Sequence, residues 1–290
     1  MNTAVFSVVY PGIDDYFAEF VASLSKQSQK NFTLFLINDG LANIEAFLRR
    51  TNFNVNVKHA GIGSPVALRK MGIQWVVESG ADVIIFADAD DYFAENRVEI
   101  SKSILNNHDL VFNELILTGK GLSDSMPMLG THFSEGESVN YTRIRIANCM
   151  GLSNTAIKVK SIPAYFDKIP DSIIAFDWAF FALCLHAGTK GVFTKRTATY
   201  YRQHDHNLAA PRSFTEKQIM LSVRVKRDHY QTLSIFYEEY MPLANKFGVL
   251  LTQLESNEIL RRKYCQAVRK NVYAAPLWWE TIKSLEDLGL

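Results

Sequence analysis

A chain of 290 residues, 48% hydrophobic and 21% charged, has the composition of an ordinary globular protein: one large domain, or one domain with an appendage. A net charge of +1 gives no field for gathering nucleic acid, and the longest apolar run, Trp178 to Leu185, falls far short of a membrane span. Three scattered cysteines (Cys149, Cys184, Cys265) are neither a disulfide framework nor a zinc spacing, and Met1-Asn2-Thr3 runs into a strand rather than a signal peptide, so a reducing cytoplasm is expected.

Ala4 to Tyr10 is predicted as the first strand, broken by Pro11-Gly12. Phe17, Phe20, Val21 and Leu24 recur on one face of a helix that ends around Gln27 to Lys30. Phe32 to Ile37 is a second strand ending in Asn38-Asp39-Gly40, and a short helix over Ile44 to Arg50 leads to a third strand, Val55 to Lys58. Gly61-Ile62-Gly63-Ser64-Pro65 opens a longer helix; it lacks the third glycine of a dinucleotide fingerprint and the Gly-Lys-Ser/Thr of a P-loop, so it is a flexible helix entry. Strand and helix alternate in this way up to Val83-Ile84-Ile85-Phe86, the pattern of a parallel, doubly wound sheet.

That fourth strand runs straight into Asp88-Ala89-Asp90-Asp91. Unpaired carboxylates cannot stay in an apolar interior, so the strand must deliver them to the crevice at its carboxyl edge, where open α/β sheets bind ligands. If extended, Asp88 and Asp90 share one face. Like charges this close call for a cation, and Mg²⁺ or Mn²⁺ carrying a phosphorylated ligand fits one or two carboxylates. The bland alternative is an acidic turn capping a helix that begins near Tyr92. A helix over Glu95 to Leu105 and a fifth strand over Asp109 to Leu117 follow, and then the aperiodic stretch Thr118 to Asn140, read as a mobile lid. Pattern returns at Ile144 to Ala147 and Gly151 to Ile157, then Phe176-Asp177-Trp178 with the apolar helix Ala179 to Ala187, then a strand pair ending in Tyr200-Tyr201-Arg202-Gln203-His204. From Pro211 the chain turns helical, which places a boundary near Ala210.

The order of these segments resembles the family 2 glycosyltransferases of GT-A fold, over roughly residues 4–210. Ser7-Val8-Val9-Tyr10-Pro11 matches the opening strand, and Ser23 to Ser28 with Ile37-Asn38-Asp39-Gly40 the unit ending on the base-binding acid. Leu68-Arg69-Lys70-Met71-Gly72-Ile73 matches the arginine-bearing helix, and Phe86 to Asp91 the DxD segment. Phe176-Asp177-Trp178 stands where the family keeps its catalytic acid pair, and Tyr201-Arg202-Gln203-His204 matches the closing motif. Ile13-Asp14, Asn38, Lys70 and Phe176 depart from the family pattern.

The resemblance implies a GT-A catalytic domain over 1–210, with a nucleotide-binding half to about 117 and an acceptor half from 118, and a helical appendage over 211–290. It implies a metal-dependent, inverting transfer from a nucleotide sugar, UDP-linked by expectation, to a glycan or lipid-linked acceptor, as in bacterial surface polysaccharide synthesis. Tyr10, Pro11, Asp39, Arg69 and Asp88 are the expected donor contacts, Asp90 and His204 the ligands of Mn²⁺ or Mg²⁺, and Asp177 the general base. Four of these have a plainer alternative of their own: Asp39 as a turn residue before glycine, Arg69 as a partner for a rim carboxylate, Asp177 as a helix cap, His204 as an exposed loop histidine. Trp178 either stacks on a sugar face or packs in the core, and the sugar contact is the expectation.

The rivals are a catalytically inactive GT-A module serving as scaffold or sugar-binding protein, and a sugar-nucleotidyltransferase. The latter would need a basic Gly-rich loop after the first strand, where Tyr10 to Asp15 is acidic instead. In the C-terminal region, Arg261, Arg262, Lys263, Arg269 and Lys270 precede Trp278-Trp279. A cationic helix with nearby tryptophans can lie on an anionic membrane, which would make the protein peripheral at the inner face of the plasma membrane. The commoner arrangement has those aromatics packing on the catalytic domain or on a second subunit.

Overall fold

The computed structural model describes residues 1–61, 63–119, 126–203, 214–272 and 276–290. The first half alternates as the periodicity predicts: β1 (Thr3–Val9), α1 (Asp14–Ser25), β2 (Thr33–Asn38), α2 (Ile44–Leu48), β3 (Asn54–His59), α3 (Pro65–Glu78) and β4 (Val83–Phe86). There follow β5 (Tyr92–Phe93), α4 (Arg97–Leu105), β6 (Leu110–Gly119), β7 (Met126–Pro127), β8 (Ser138–Val139), α5 (Tyr141–Ile144) and β9 (Thr155–Lys158). The chain closes with α6 (Phe176–His186), β10 (Gly191–Gln203), α7 (Glu216–Ser234), α8 (Met241–Ser256) and α9 (Glu258–Lys270).

The strands form a mixed, mostly parallel sheet of order β3-β2-β1-β4-β9-β6-β10-β5. β1 to β4 all run parallel, β9 is antiparallel between β4 and β6, and β10 returns parallel to β6. Both faces are covered, which is why the parallel strands are apolar on alternate and intervening positions alike. Phe6, Ile84 and Phe86 face the core under α3 and α6, and Val5, Val83 and Ile85 face the core under α1 and α4. Helix α3 lies so close to β1 that a Cβ on Gly72 would overlap the ring of Phe6. Ser64 caps α3 as its position before Pro65 suggests, its hydroxyl accepting the Ala67 amide at 3.1 Å.

Three expectations are corrected. Tyr92 and Phe93 do not open a helix; they pair with Tyr200 and Thr199 of β10, and helix α4 starts only at Arg97. The two tyrosine rings, stacked at 4.6 Å, supply a cross-strand contact that no local pattern encodes. The strand pair before His204 is one strand, β10, whose register on β6 shifts between Thr194 and Ala198. Polar residues at that bulge mimic a turn, and the Glu135 carboxylate accepts the Thr194 hydroxyl and the Lys195 amide there. The 118–140 stretch is not a free lid from residue 126 onward: Met128, Leu129, Phe133 and Val139 are buried, and the Glu114 carboxylate accepts the Leu129 amide at 2.7 Å. Residues 120–125 lie outside the described residues.

The boundary near Ala210 also falls outside the described residues. Beyond it, Val223, Tyr230, Leu233, Phe247 and Leu250 of α7 and α8 belong to the same core as Trp178 and Phe180 of α6. Among the described residues no helix is long and apolar enough to cross a membrane.

Candidate active site

A cleft of about 740 Å³ opens at the carboxyl ends of β1, β2 and β4, within the range usual for small-molecule sites (roughly 300–1,000 Å³). Tyr10, Asp39, Arg69, Asp88, Asp90 and Asp177 all line it. Six residues predicted from motifs spread over most of the chain therefore meet in one place. Pro11 and Trp178 do not line the cleft, and His204 lies outside the described residues.

Asp39 is carried on a tight turn. Its amide donates to the Val9 carbonyl at 2.8 Å, and Gly40 follows in a left-handed conformation (φ 93°) that a larger residue would resist. Asn38, which departs from the family's acid, builds this turn: its side chain accepts the Leu41 amide at 2.8 Å and donates to the Leu41 carbonyl at 3.0 Å. Pro11 faces Gly40, whose Cβ position lies 3.6 Å from Pro11 Cγ. It shapes the turn that carries Asp39 and is not one of the cleft-lining residues.

The acidic segment turns immediately after β4. The Asp91 amide donates to the Asp88 carbonyl at 3.2 Å, so Asp88 and Asp90 sit on a turn and not on one extended face. Asp91 points inward: its buried carboxylate accepts the Ser153 hydroxyl and the Arg202 amide. Arg202 Nε donates to the Asp90 carbonyl at 2.8 Å, and its guanidinium pairs with Glu19. The closing motif on β10 thus fastens the acidic turn from behind. Beneath it the fully buried Arg97 donates to the Phe86 carbonyl at 2.8 Å and lies over the Phe93 ring. Burial pulls its pKa down to about 9, and the nearby Asp91 and Asp88 resist that fall.

Burial is also the largest influence on Asp88 and Asp177. It pushes the Asp88 pKa up to about 6, helped by the charges of Asp90 and Asp177, while Arg69, 3.9 Å away, pulls it down. The Asp177 carboxyl is raised by burial too, against Arg69, the Trp178 amide and the Asn148 side chain, which donates to it at 3.1 Å. The Tyr10 phenol is raised by burial and by the charges of Asp90, Asp88 and Asp91, so it stays protonated and donates to Asp90 at 3.4 Å.

Asp177 occupies the first turn of α6, where the helix N-terminus favours an anion. The next residue on a helix points about 100° away, so a cleft-facing Asp177 sends Trp178 into the core. Trp178 is fully buried, donates its indole N–H to the Ile144 carbonyl at 2.7 Å and stacks on His229 at 3.6 Å. Its expected sugar contact is corrected. Phe176, in place of the family's glutamate, is likewise buried and stacks on Phe180. Lys70, another departure, donates to the Asp167 and Ile169 carbonyls at 2.9 Å each and pairs with Asp171, holding the segment that forms one wall of the cleft.

The cleft also contains residues that the sequence did not single out as site residues: Asn148, Ser153, Asn154 and Leu221, together with Trp278 and Trp279. The two tryptophans were visible as a pair but were linked to the cationic helix before them. In the structure that helix, α9, spends Arg261 on Glu216 and the Leu254 carbonyl, and Arg269 on the Phe214 carbonyl. The tryptophans turn into the cleft instead.

No protein-family model matches the chain. An uncharacterised glycosyltransferase of Rickettsia conorii is 24% identical over 119 residues, a match spanning 39% of this chain and 19% of that protein. Among solved structures, S. aureus TarS in complex with UDP superposes with a TM-score of 0.59 at 15% identity, covering 98% of this chain and 100% of that one. GalNAc-T7 with UDP, GalNAc and Mn²⁺ gives 0.59 at 13% identity, covering 100% of this chain and 54% of that one. The fold is the GT-A fold. TarS has also been captured with UDP-GlcNAc, at a TM-score of 0.57 and 15% identity over 81% of this chain and 71% of that one.

Proposed function

We propose that the chain is an inverting glycosyltransferase that moves a sugar from a UDP-linked donor to a hydroxyl of a glycan or lipid-linked acceptor. The observation that carries this reading is the convergence of Asp39, Arg69, Asp88, Asp90 and Asp177 on one cleft at the carboxyl edge of the sheet. The UDP complexes of the structural neighbours support the choice of donor.

In this mechanism Asp39 accepts a hydrogen bond from the N–H edge of the base, and Arg69 and Tyr10 contact the ribose and diphosphate region. Asp177 takes the proton of the acceptor hydroxyl as that oxygen bonds to the anomeric carbon and the bond to the diphosphate breaks. A carboxylate whose pKa is raised by burial is a better base than a solvated one, and general-base help of this kind is typically worth about 10²–10⁴ in rate. Asn148 and the start of α6 hold that carboxylate in place.

The oxygen donors of Asp90 and Asp88 fit Mn²⁺ or Mg²⁺. Among the described residues no group of three or more His, Cys, Asp or Glu gathers as a metal site. In this reading Asp90 and Asp88 supply carboxylate oxygens and the diphosphate supplies further oxygens, the usual arrangement for Mg²⁺ on phosphorylated substrates. When bound, such an ion offsets the negative charge that develops on the departing diphosphate. His204 remains a further proposed ligand.

The test is UDP binding by thermal shift with and without Mn²⁺, coupled to UDP release from UDP-sugars. Asp177→Asn should keep UDP binding and lose turnover. Asp90→Ala should lose the Mn²⁺-dependent part of the stabilisation. Normal turnover in Asp177→Asn would remove the base assignment, and absence of any stabilisation by UDP would remove the reading.

A further inference from the structure

Asp39, Arg69, Asp88 and Asp90 give the cleft its charge. The same lining carries the apolar and aromatic side chains of Leu115, Tyr201, Leu221, Trp278 and Trp279, together with Asp177 and Asn148. Trp278 stands edge-on to Tyr201 with ring centres 5.7 Å apart. Trp279 lies nearly parallel to the buried Trp178, centres 6.5 Å apart, so rings are layered from His229 through Trp178 to the cleft.

The turn that carries this pair is held against its own preference. Trp279 has φ 68°, a left-handed backbone that a bulky residue rarely adopts. Several contacts keep it there. The Glu280 carboxylate accepts the Leu277 amide at 2.8 Å, and the Ile282 amide donates to the Trp279 carbonyl at 3.2 Å. The buried Lys226 of α7 donates to the Ile282 carbonyl at 2.6 Å. The Asn148 amide donates to the Trp278 carbonyl at 3.0 Å, while the side chain of the same Asn148 donates to Asp177. One residue thus ties the tryptophan turn to the carboxylate that takes the acceptor's proton.

From this arrangement we infer that Trp278 and Trp279 form an acceptor subsite that takes a pyranose ring of a saccharide, one of whose hydroxyls meets Asp177. A pyranose presents an apolar C–H face and a rim of hydroxyls. The tryptophan rings match the face; Ser172, Asp171 and Asn148 on the cleft lining match the rim. An alkyl chain in the same place would match the rings alone and leave the exposed Ser172 and Asp171 on the lining unused. The inference rests on the transfer reading above and specifies the acceptor's chemistry.

The test titrates methyl glycosides of glucose, galactose, N-acetylglucosamine and N-acetylgalactosamine into the full chain with UDP and Mn²⁺, by calorimetry. At least one should bind saturably to the unaltered protein. Trp279→Gly, which removes the ring and suits the left-handed backbone, should weaken that binding about tenfold or more and leave the melting-temperature rise with UDP intact. Trp279→Phe should retain most of the affinity. The subsite is refuted if no glycoside binds while UDP still stabilises the protein, or if Trp279→Gly binds the glycoside as well as the parent. Failure of UDP to stabilise the parent removes the transfer reading itself, and with it the subsite.

Discussion

Removing the Asn148 side chain should change the pH dependence of the proposed transfer. Its amide donates to Asp177 Oδ2 at 3.1 Å, a hydrogen bond that favours the ionised carboxylate and holds down a pKa that burial raises. A hydrogen bond to a charged group is worth about 1.5–3 kcal/mol, and one pKa unit corresponds to about 1.4 kcal/mol. Asn148→Ala should therefore raise the Asp177 pKa further, while Arg69 and the Trp178 amide still hold it down. The base must be ionised to act, so the acid limb of kcat/KM for UDP release should move to higher pH, with the plateau at high pH less affected. Asn148→Asp places a like charge beside the base and should move the limb further. The same truncation strips the buried Met150 amide of its acceptor, 3.1 Å away, costing about 1–3 kcal/mol of stability, so urea denaturation is run in parallel. An acid limb that stays in place in both variants would refute the assignment of Asp177 as the titrating base.

Three further outcomes are expected. Gly72→Ala should destabilise the fold by about 1–3 kcal/mol in urea denaturation, because the new methyl meets the buried ring of Phe6 and lies 3.2 Å from Ile37 Cγ1; an unchanged midpoint would mean that α3 is not seated as described. The raised Asp88 pKa means that the native state holds this proton more tightly than the unfolded chain. Its contribution to stability is full below about 3.8 and is lost as pH rises through about 6, so Asp88→Asn should gain stability relative to the parent at pH 7 and not at pH 3.5, and an equal offset at both would refute it. Lys70→Met frees the Asp167 and Ile169 carbonyls and Asp171, so hydrogen exchange should quicken over residues 167–175 and KM for the donor should rise, while unchanged exchange would deny the lysine its clamping role.

What was legible in the sequence is what depends on local pattern. β1 to β4 and α1 to α4 follow from apolar periodicity, and the acids at the strand ends follow from the cost of burying charge, so Asp39, Asp88 and Asp90 were found where the structure places them. Asp91 was visible as a third acid, but its inward turn onto Ser153 and Arg202 depends on residues about 60 and 110 positions away. The dipeptide Tyr92-Phe93 looked like the start of a helix because its partner strand, β10, comes a hundred residues later. The departures from the family pattern became intelligible only through partners distant in the chain or across a turn: Lys70 with 167–171, Asn38 with Leu41, Phe176 with Phe180.

The assignment of the aromatic contact shows the limit most sharply. Adjacency to Asp177 suggested Trp178, yet on a helix adjacency separates two side chains by more than a quarter turn, and the buried ring at 178 is the consequence of a cleft-facing 177. The rings that do line the cleft come from residues 278 and 279, a hundred positions on, through a backbone conformation that propensity disfavours. Such a conformation persists only where surrounding contacts over-determine it, and here those contacts come from α7, from the turn's own glutamate and from Asn148 beside Asp177. The C-terminal region is therefore coupled to the cleft around Asp177 through its backbone. If it were a separable appendage, cutting the chain before residue 276 would leave the Asp177 environment unchanged; the Asn148 bridge requires instead that the pH profile shift when that segment is lost.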